Sequence, residues 1–159
     1  MMGSDQGIFR VVGVGVRHGL RERLARLESE NLCHVTLCSD LADVSHDQGP
    51  TGIDVLVLDF ASPDGEGVRQ AAEWIGQASS GIRLLVVMDE GSAQHVDDIF
   101  AAGADDCLVA PDDEGSLRRS LKRLSDARRA AIRSLFLHET IRIMEDCRPL
   151  AYCLEPGQL

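Results

Sequence analysis

The chain has 159 residues, 44% of them apolar, enough for one sizeable core and too few for two full domains. Its 16 basic and 26 acidic side chains give a net charge of −10, which argues against whole-molecule attraction to nucleic acid or to an anionic membrane. With only Trp74, Tyr152 and four phenylalanines, it also lacks the aromatics of a single-strand stacking platform.

Residues 1–7 read as a disordered leader. Five strand-length apolar runs follow, Ile8 to Val14, Cys33 to Cys38, Ile53 to Leu58, Ile82 to Met88 and Cys107 to Val109. Between them lie helix-period stretches at Gly19 to Glu30, Leu41 to His46 (weakly patterned), Gly67 to Ala78 and Ala93 to Ala101, with a long one from about Glu114. Runs as continuous as 53–58 belong to strands covered on both faces, so a parallel sheet with helices on each side is expected. Asp40, Ser92 and Asp112 or Asp113 stand where helices need N-caps, and Gly81 and Gly103 where helices must stop. Right-handed crossovers then give a three-layer αβα, doubly wound five-stranded sheet of order 2-1-3-4-5, with ligand chemistry expected at the carboxyl ends of its strands.

The last segment is unlike the rest. Residues 1–115 carry 7 basic and 21 acidic side chains, whereas 116–159 carry 9 and 5, which reads either as a solvated basic helix on an acidic body or as a basic segment docked on an acidic face of its own or a neighbouring subunit. From 116 to 148 no Gly or Pro occurs. Leu117, Leu121, Leu124, Ala131 and Leu135 keep a 4-3 spacing that Arg128 interrupts, and His138, Arg142 and Glu145 occupy its continuation, so a kink or second helix is expected near 128–131. Ile132, Leu135, Phe136, Leu137, Ile141, Ile143 and Met144 cover more than one helix face, which predicts a subunit interface over a 127–148 extension, followed by a tail at 149–159.

Two segments carry a family resemblance. Ile53-Asp54-Val55-Leu56-Val57-Leu58-Asp59 is followed by Pro63, and Ala101-Ala102-Gly103-Ala104-Asp105-Asp106-Cys107-Leu108-Val109-Ala110-Pro111 is similar to an AGADDYLxKP pattern. In correct order over about residues 8–126, they resemble a response-regulator receiver domain, the module that accepts a phosphoryl group from a histidine kinase on an Asp ending its third strand. The Asp64-Gly65 turn is two residues tighter than the family's usual spacing.

The resemblance implies that Asp59 is the phosphoacceptor, that an acidic pair after the first strand helps it to hold Mg²⁺, and that a Thr/Ser and a Lys read the phosphoryl oxygens. Here Gly15 and Val16 stand at the acidic pair, Met88 at the Thr/Ser and Ala110 at the Lys before Pro111. None supplies a hard oxygen ligand, a hydroxyl or an ammonium. The reading is therefore a degenerate receiver that signals through protein contacts, with no metal, no cofactor and no enzymatic activity expected. The alternatives are a phosphorylatable receiver using Asp59 and a nucleic-acid regulator using the basic stripe Arg118 to Arg133. The sequence leaves open whether the edge beside Asp59 is filled by Met88 and Val16 or open to an ion, and Asp64, Asp89 and Glu90 could also converge there.

Receiver domains commonly pair through the surface formed here by the fourth and fifth predicted helices and the fifth strand. That surface offers Asp97, Asp98, Asp105 and Asp106 opposite Arg118, Arg119, Lys122 and Arg123, self-complementary across a two-fold axis, and Leu135 and Phe136 extend it, so a homodimer and a signalling protein partner are expected.

Other sites are weak. Gly13-Val14-Gly15 lacks the third glycine of a dinucleotide loop, since His18 stands there. His18, His34, His46, His95 and His138 show no zinc spacing, and no GxSxG nucleophile motif occurs. Cys33, Cys38, Cys107, Cys147 and Cys153 form no disulfide frame and read as mostly core thiols, which with no signal core or membrane-length apolar run predicts a cytoplasmic protein.

Overall fold

The apolar runs become strands, and their alternation sorts side chains onto two faces. The structure is a computed structural model and describes residues 8–44, 52–60, 65–78, 81–109 and 114–151. Strands β1 (Phe9–Val14), β2 (Cys33–Cys38), β3 (Val55–Phe60), β4 (Arg83–Met88) and β5 (Asp106–Val109) pair in parallel in the order β2-β1-β3-β4-β5. Helices α1 (His18–Ser29), α2 (Gly65–Ala78), α3 (Val96–Ala101) and α4 (Glu114–Ala151) complete the described elements, with short 3-10 turns at Leu41–Asp43 and Glu90–His95.

Even-numbered strand residues Val12, Val14, Leu56, Leu58, Leu84, Val86 and Met88 pack with Val68 and Ala71 of α2 and Ile99 of α3. Odd-numbered Val11, Val55, Val57, Leu85 and Val87 pack with Leu20, Leu24 and Leu27 of α1 and Leu117, Leu121 and Leu124 of α4. Two apolar faces on one sheet require two helical layers, and each fully buried leucine contributes about 2 kcal/mol. The topology and layers are those the sequence predicts.

Several local expectations change. The second predicted helix is a single 3-10 turn, and Asp40 precedes it without a side-chain capping bond. His46 lies outside the described residues, as do Pro63, Asp64, Ala110, Pro111, Asp112, Asp113 and the tail from Tyr152. A 3-10 turn occupies the start of the fourth predicted helix, so the α-helix begins at Val96 instead of after Ser92. Gly103 has φ +120° and a Cβ there would stand 2.7 Å from the Ala72 Cβ, so the turn into β5 passes too close to α2 for any side chain.

No kink divides the C-terminal segment: α4 runs unbroken for 38 residues, roughly 57 Å at 1.5 Å per residue. Arg128 continues the seam it was expected to interrupt. It follows Leu117, Leu121 and Leu124 at helical spacing, is 2% exposed, and its Nη1 donates to Oδ1 of Asp54 at 2.8 Å. The other oxygen of Asp54 accepts the Arg10 backbone N–H at 2.9 Å and lies 3.6 Å from Nη2 of Arg129. The carboxylate thus joins β1, the entry to β3 and the point at which α4 leaves the body.

Candidate functional site at the carboxyl edge of the sheet

β1 and β3 are adjacent at the point where the winding reverses, with Val14 level with Leu58 and Asp59 level with Val87. The carboxyl ends of β1, β3 and β4 therefore meet at one edge. Asp59 is placed there with its side chain only 2% exposed.

The loop after β1 is built to reach it. Gly15 has φ +63° and turns the chain, and Val16 folds back so closely that a Cβ on Gly13 would stand 2.5 Å from its Cγ2. The glycine pair thus makes a tight turn, and Val16 enters the core beneath α1 and α4. The next residue, Arg17, becomes the N-cap of α1.

Arg17 closes on Asp59 through both backbone and side chain. Its backbone N–H donates to Oδ2 at 2.8 Å, while Nε and Nη2 donate to Oδ1 at 3.0 and 2.6 Å. Nη1 reaches across to Oδ2 of Asp89, just beyond β4, at 2.9 Å. A cation at a helix N-terminus opposes the macrodipole, and here two carboxylates offset that cost. These hydrogen bonds raise the Arg17 pKa above its ordinary value, and the same bond from Arg17 lowers that of Asp89.

The four positions expected to be degenerate fall as follows. Gly15 forms the turn and Val16 belongs to the core on the α1 and α4 side. Met88 is 1% exposed in the opposite core, under α2 and α3, and Ala110 lies outside the described residues. Of the alternatives left open for the edge, filling by Val16 and Met88 is not what the structure shows: each packs into a different core, and a guanidinium stands beside Asp59. Of the four acids expected to converge, Asp59 and Asp89 are joined through Arg17, and Asp64 lies outside the described residues.

The Mg²⁺ that the resemblance implies does not fit this set of donors. Gly15 and Val16 supply no carboxylate, both oxygens of Asp59 already accept hydrogen bonds from Arg17, and among the described residues no three His, Cys, Asp or Glu side chains group to hold a metal. Sequence reasoning missed Arg17. Its one signal was position, directly after the two residues aligned on the missing acidic pair.

The residues expected to pair across a two-fold axis are largely engaged within the chain. Arg123 pairs with Asp106, Arg118 with Glu30, and Arg83 with Asp105 at 3.6 Å. Asp105 also accepts the Leu84 backbone N–H at 2.7 Å, and Asp106 accepts that of Cys107 at 2.9 Å, so these two acids pin β5 to its surroundings. Asp98 lies 3.9 Å from His95, and Nη2 of Arg119 lies 3.4 Å from the Ser116 hydroxyl. Asp97 and Lys122 are exposed. On α4, Leu135 and Phe136 are about 70% exposed, consistent with a surface role. No described helix is long and apolar enough to cross a membrane.

The chain has the fold of response-regulator receiver domains. A pilus-assembly-related protein of Burkholderia pseudomallei superposes with a TM-score of 0.60 at 25% identity, over 77% of this chain and 92% of that one. The signal receiver domain of a LuxO repressor protein from Vibrio parahaemolyticus gives 0.62 at 18% identity, over 78% and 95%. A receiver domain protein from Methanospirillum hungatei gives 0.61 at 18%, over 79% and 99%. Among individual proteins, 89 residues are 28% identical to the swarming motility regulation protein RssB of Serratia marcescens, covering 56% of this chain and 39% of that relative. No family model matches the sequence.

Proposed function

We propose that this chain is a receiver-type module of two-component signalling that works through protein contacts, its acceptor carboxylate held by an internal cation in place of Mg²⁺. The observation that carries the reading is the Arg17 guanidinium on Asp59 and Asp89. Attack on a phosphodonor needs a free Asp59 oxygen and positive charge at the transferred oxygens. Freeing that oxygen means breaking charge-assisted hydrogen bonds at a nearly buried carboxylate, with Asp89 alongside to repel the incoming anion. The partner is a signalling protein that reads the folded surface.

A second reading keeps Asp59 as phosphoacceptor, with the Arg17 guanidinium pairing the phosphoryl oxygens. Incubation with a small phosphodonor and Mg²⁺, followed by intact mass, separates the two. The proposal expects no added phosphoryl mass; an adduct that disappears in Asp59→Asn would replace it with the second reading.

A further inference from the structure

We infer that the free half of α4 is a self-association surface, and that its occupant is a second copy of the same helix. Of the nine large apolar side chains exposed among the described residues, six lie between Leu135 and Met144. Behind them Arg128 closes the docked part of the helix on Asp54, and from Arg133 to Cys147 every residue is exposed.

At 3.6 residues per turn, the apolar residues from half-buried Ile132 to Cys147, Leu135 apart, fall within one broad arc of about 180°. Ile132, Phe136, Ile143 and Cys147 lie along one side of it, and Leu137, Ile141 and Met144 along the other. Its polar members are Thr140 and Arg133, whose aliphatic stem can lie along an apolar contact with its charge at the rim. Leu135 falls outside the arc, among Glu139, Arg142 and Asp146. The surface therefore keeps Phe136 and leaves out Leu135 of the residues expected from sequence, and it uses the far half of α4, away from Asp97 and Asp98 on α3 and Arg119 near the start of α4.

Phe136, Leu137, Ile141, Ile143 and Met144 are each between 54% and 70% exposed, so the arc offers several hundred Å² per copy, of the order of the ~800 Å² per partner of a stable interface. Residues 132–147 carry two basic and three acidic side chains. That near-neutral balance gives no pull toward an anionic lipid surface or nucleic acid, and little repulsion between like helices. A second copy supplies an equal apolar arc at the same near-zero charge.

Sedimentation of the whole chain at micromolar concentration tests this. The unmodified protein is expected to sediment as a dimer or larger assembly. Phe136→Asp and Ile143→Asp, each placing a charge in the arc, should weaken association at least about a hundredfold, while Leu135→Asp leaves it intact. All three sites are exposed, so far-UV circular dichroism should confirm a folded body in each variant. A monomeric unmodified chain, a dimer that survives Phe136→Asp combined with Ile143→Asp, or equal disruption by Leu135→Asp would overturn the inference. The outcome is independent of whether Asp59 accepts a phosphoryl group.

Discussion

Asp59 shows how one side chain's meaning depends on its neighbours. A carboxylate at the end of a central strand is poised for chemistry only if its oxygens are available, and here Arg17 engages both. Arg17→Ala should therefore destabilise the fold by about 1–2 kcal/mol in urea unfolding, the cost of an unpaired, nearly buried carboxylate reduced because the guanidinium itself is partly solvated. Asp89 reports the same contact. Its folded pKa lies below the ordinary 3.8, so its contribution to stability is present above that value and is lost as pH falls through the lowered one. An NMR titration should find the Asp89 midpoint moving back up in Arg17→Ala.

The cysteines split by burial. Cys33 and Cys107 are pushed up to about 11 from 9.0, chiefly by desolvation, so their neutral thiols favour the folded state and that contribution is lost as pH rises from about 9 through 11. In the Phe136→Asp, Ile143→Asp double variant, which keeps α4 unassociated, alkylation at neutral pH should label exposed Cys147 well before either of them.

Among the elements, α4 is the most informative. Its lower half was legible because Leu117, Leu121 and Leu124 repeat at helical spacing and bury against the sheet. The break read at Arg128 was not a break, because its partner Asp54 is 74 positions away and no local pattern reveals a pair brought together only by the fold. Arg128→Ala should cost about 3 kcal/mol in denaturant unfolding, at the low end for a severed buried pair since Arg129 stays near Asp54. Changing Asp54 and Arg128 together to leucine should recover much of that loss. The 3-10 turn at Leu41–Asp43 was illegible for the opposite reason: a weakly periodic run cannot tell one such turn from a helix.

For the whole molecule, the order of strands and the two apolar faces could be read from sequence because alternation within Val/Leu/Ile runs is fixed by the pleat. The site was only half legible. Gly15 and Val16 marked what is missing, but Arg17, Asp59 and Asp89 come from three chain segments whose meeting depends on the parallel winding and on a glycine turn. Of the partners the charge split left open, Asp106 with Arg123 and Glu30 with Arg118 are pairs of the basic helix with its own body.

An Mg²⁺ titration followed through the backbone amides of Gly15, Val16, Arg17 and Asp59 bears most directly on the internal cation. These resonances should stay in place into the millimolar range in the unmodified protein, because the guanidinium already holds the carboxylate. Saturable shifts centred on Asp59, with Arg17 released from it, would contradict the account.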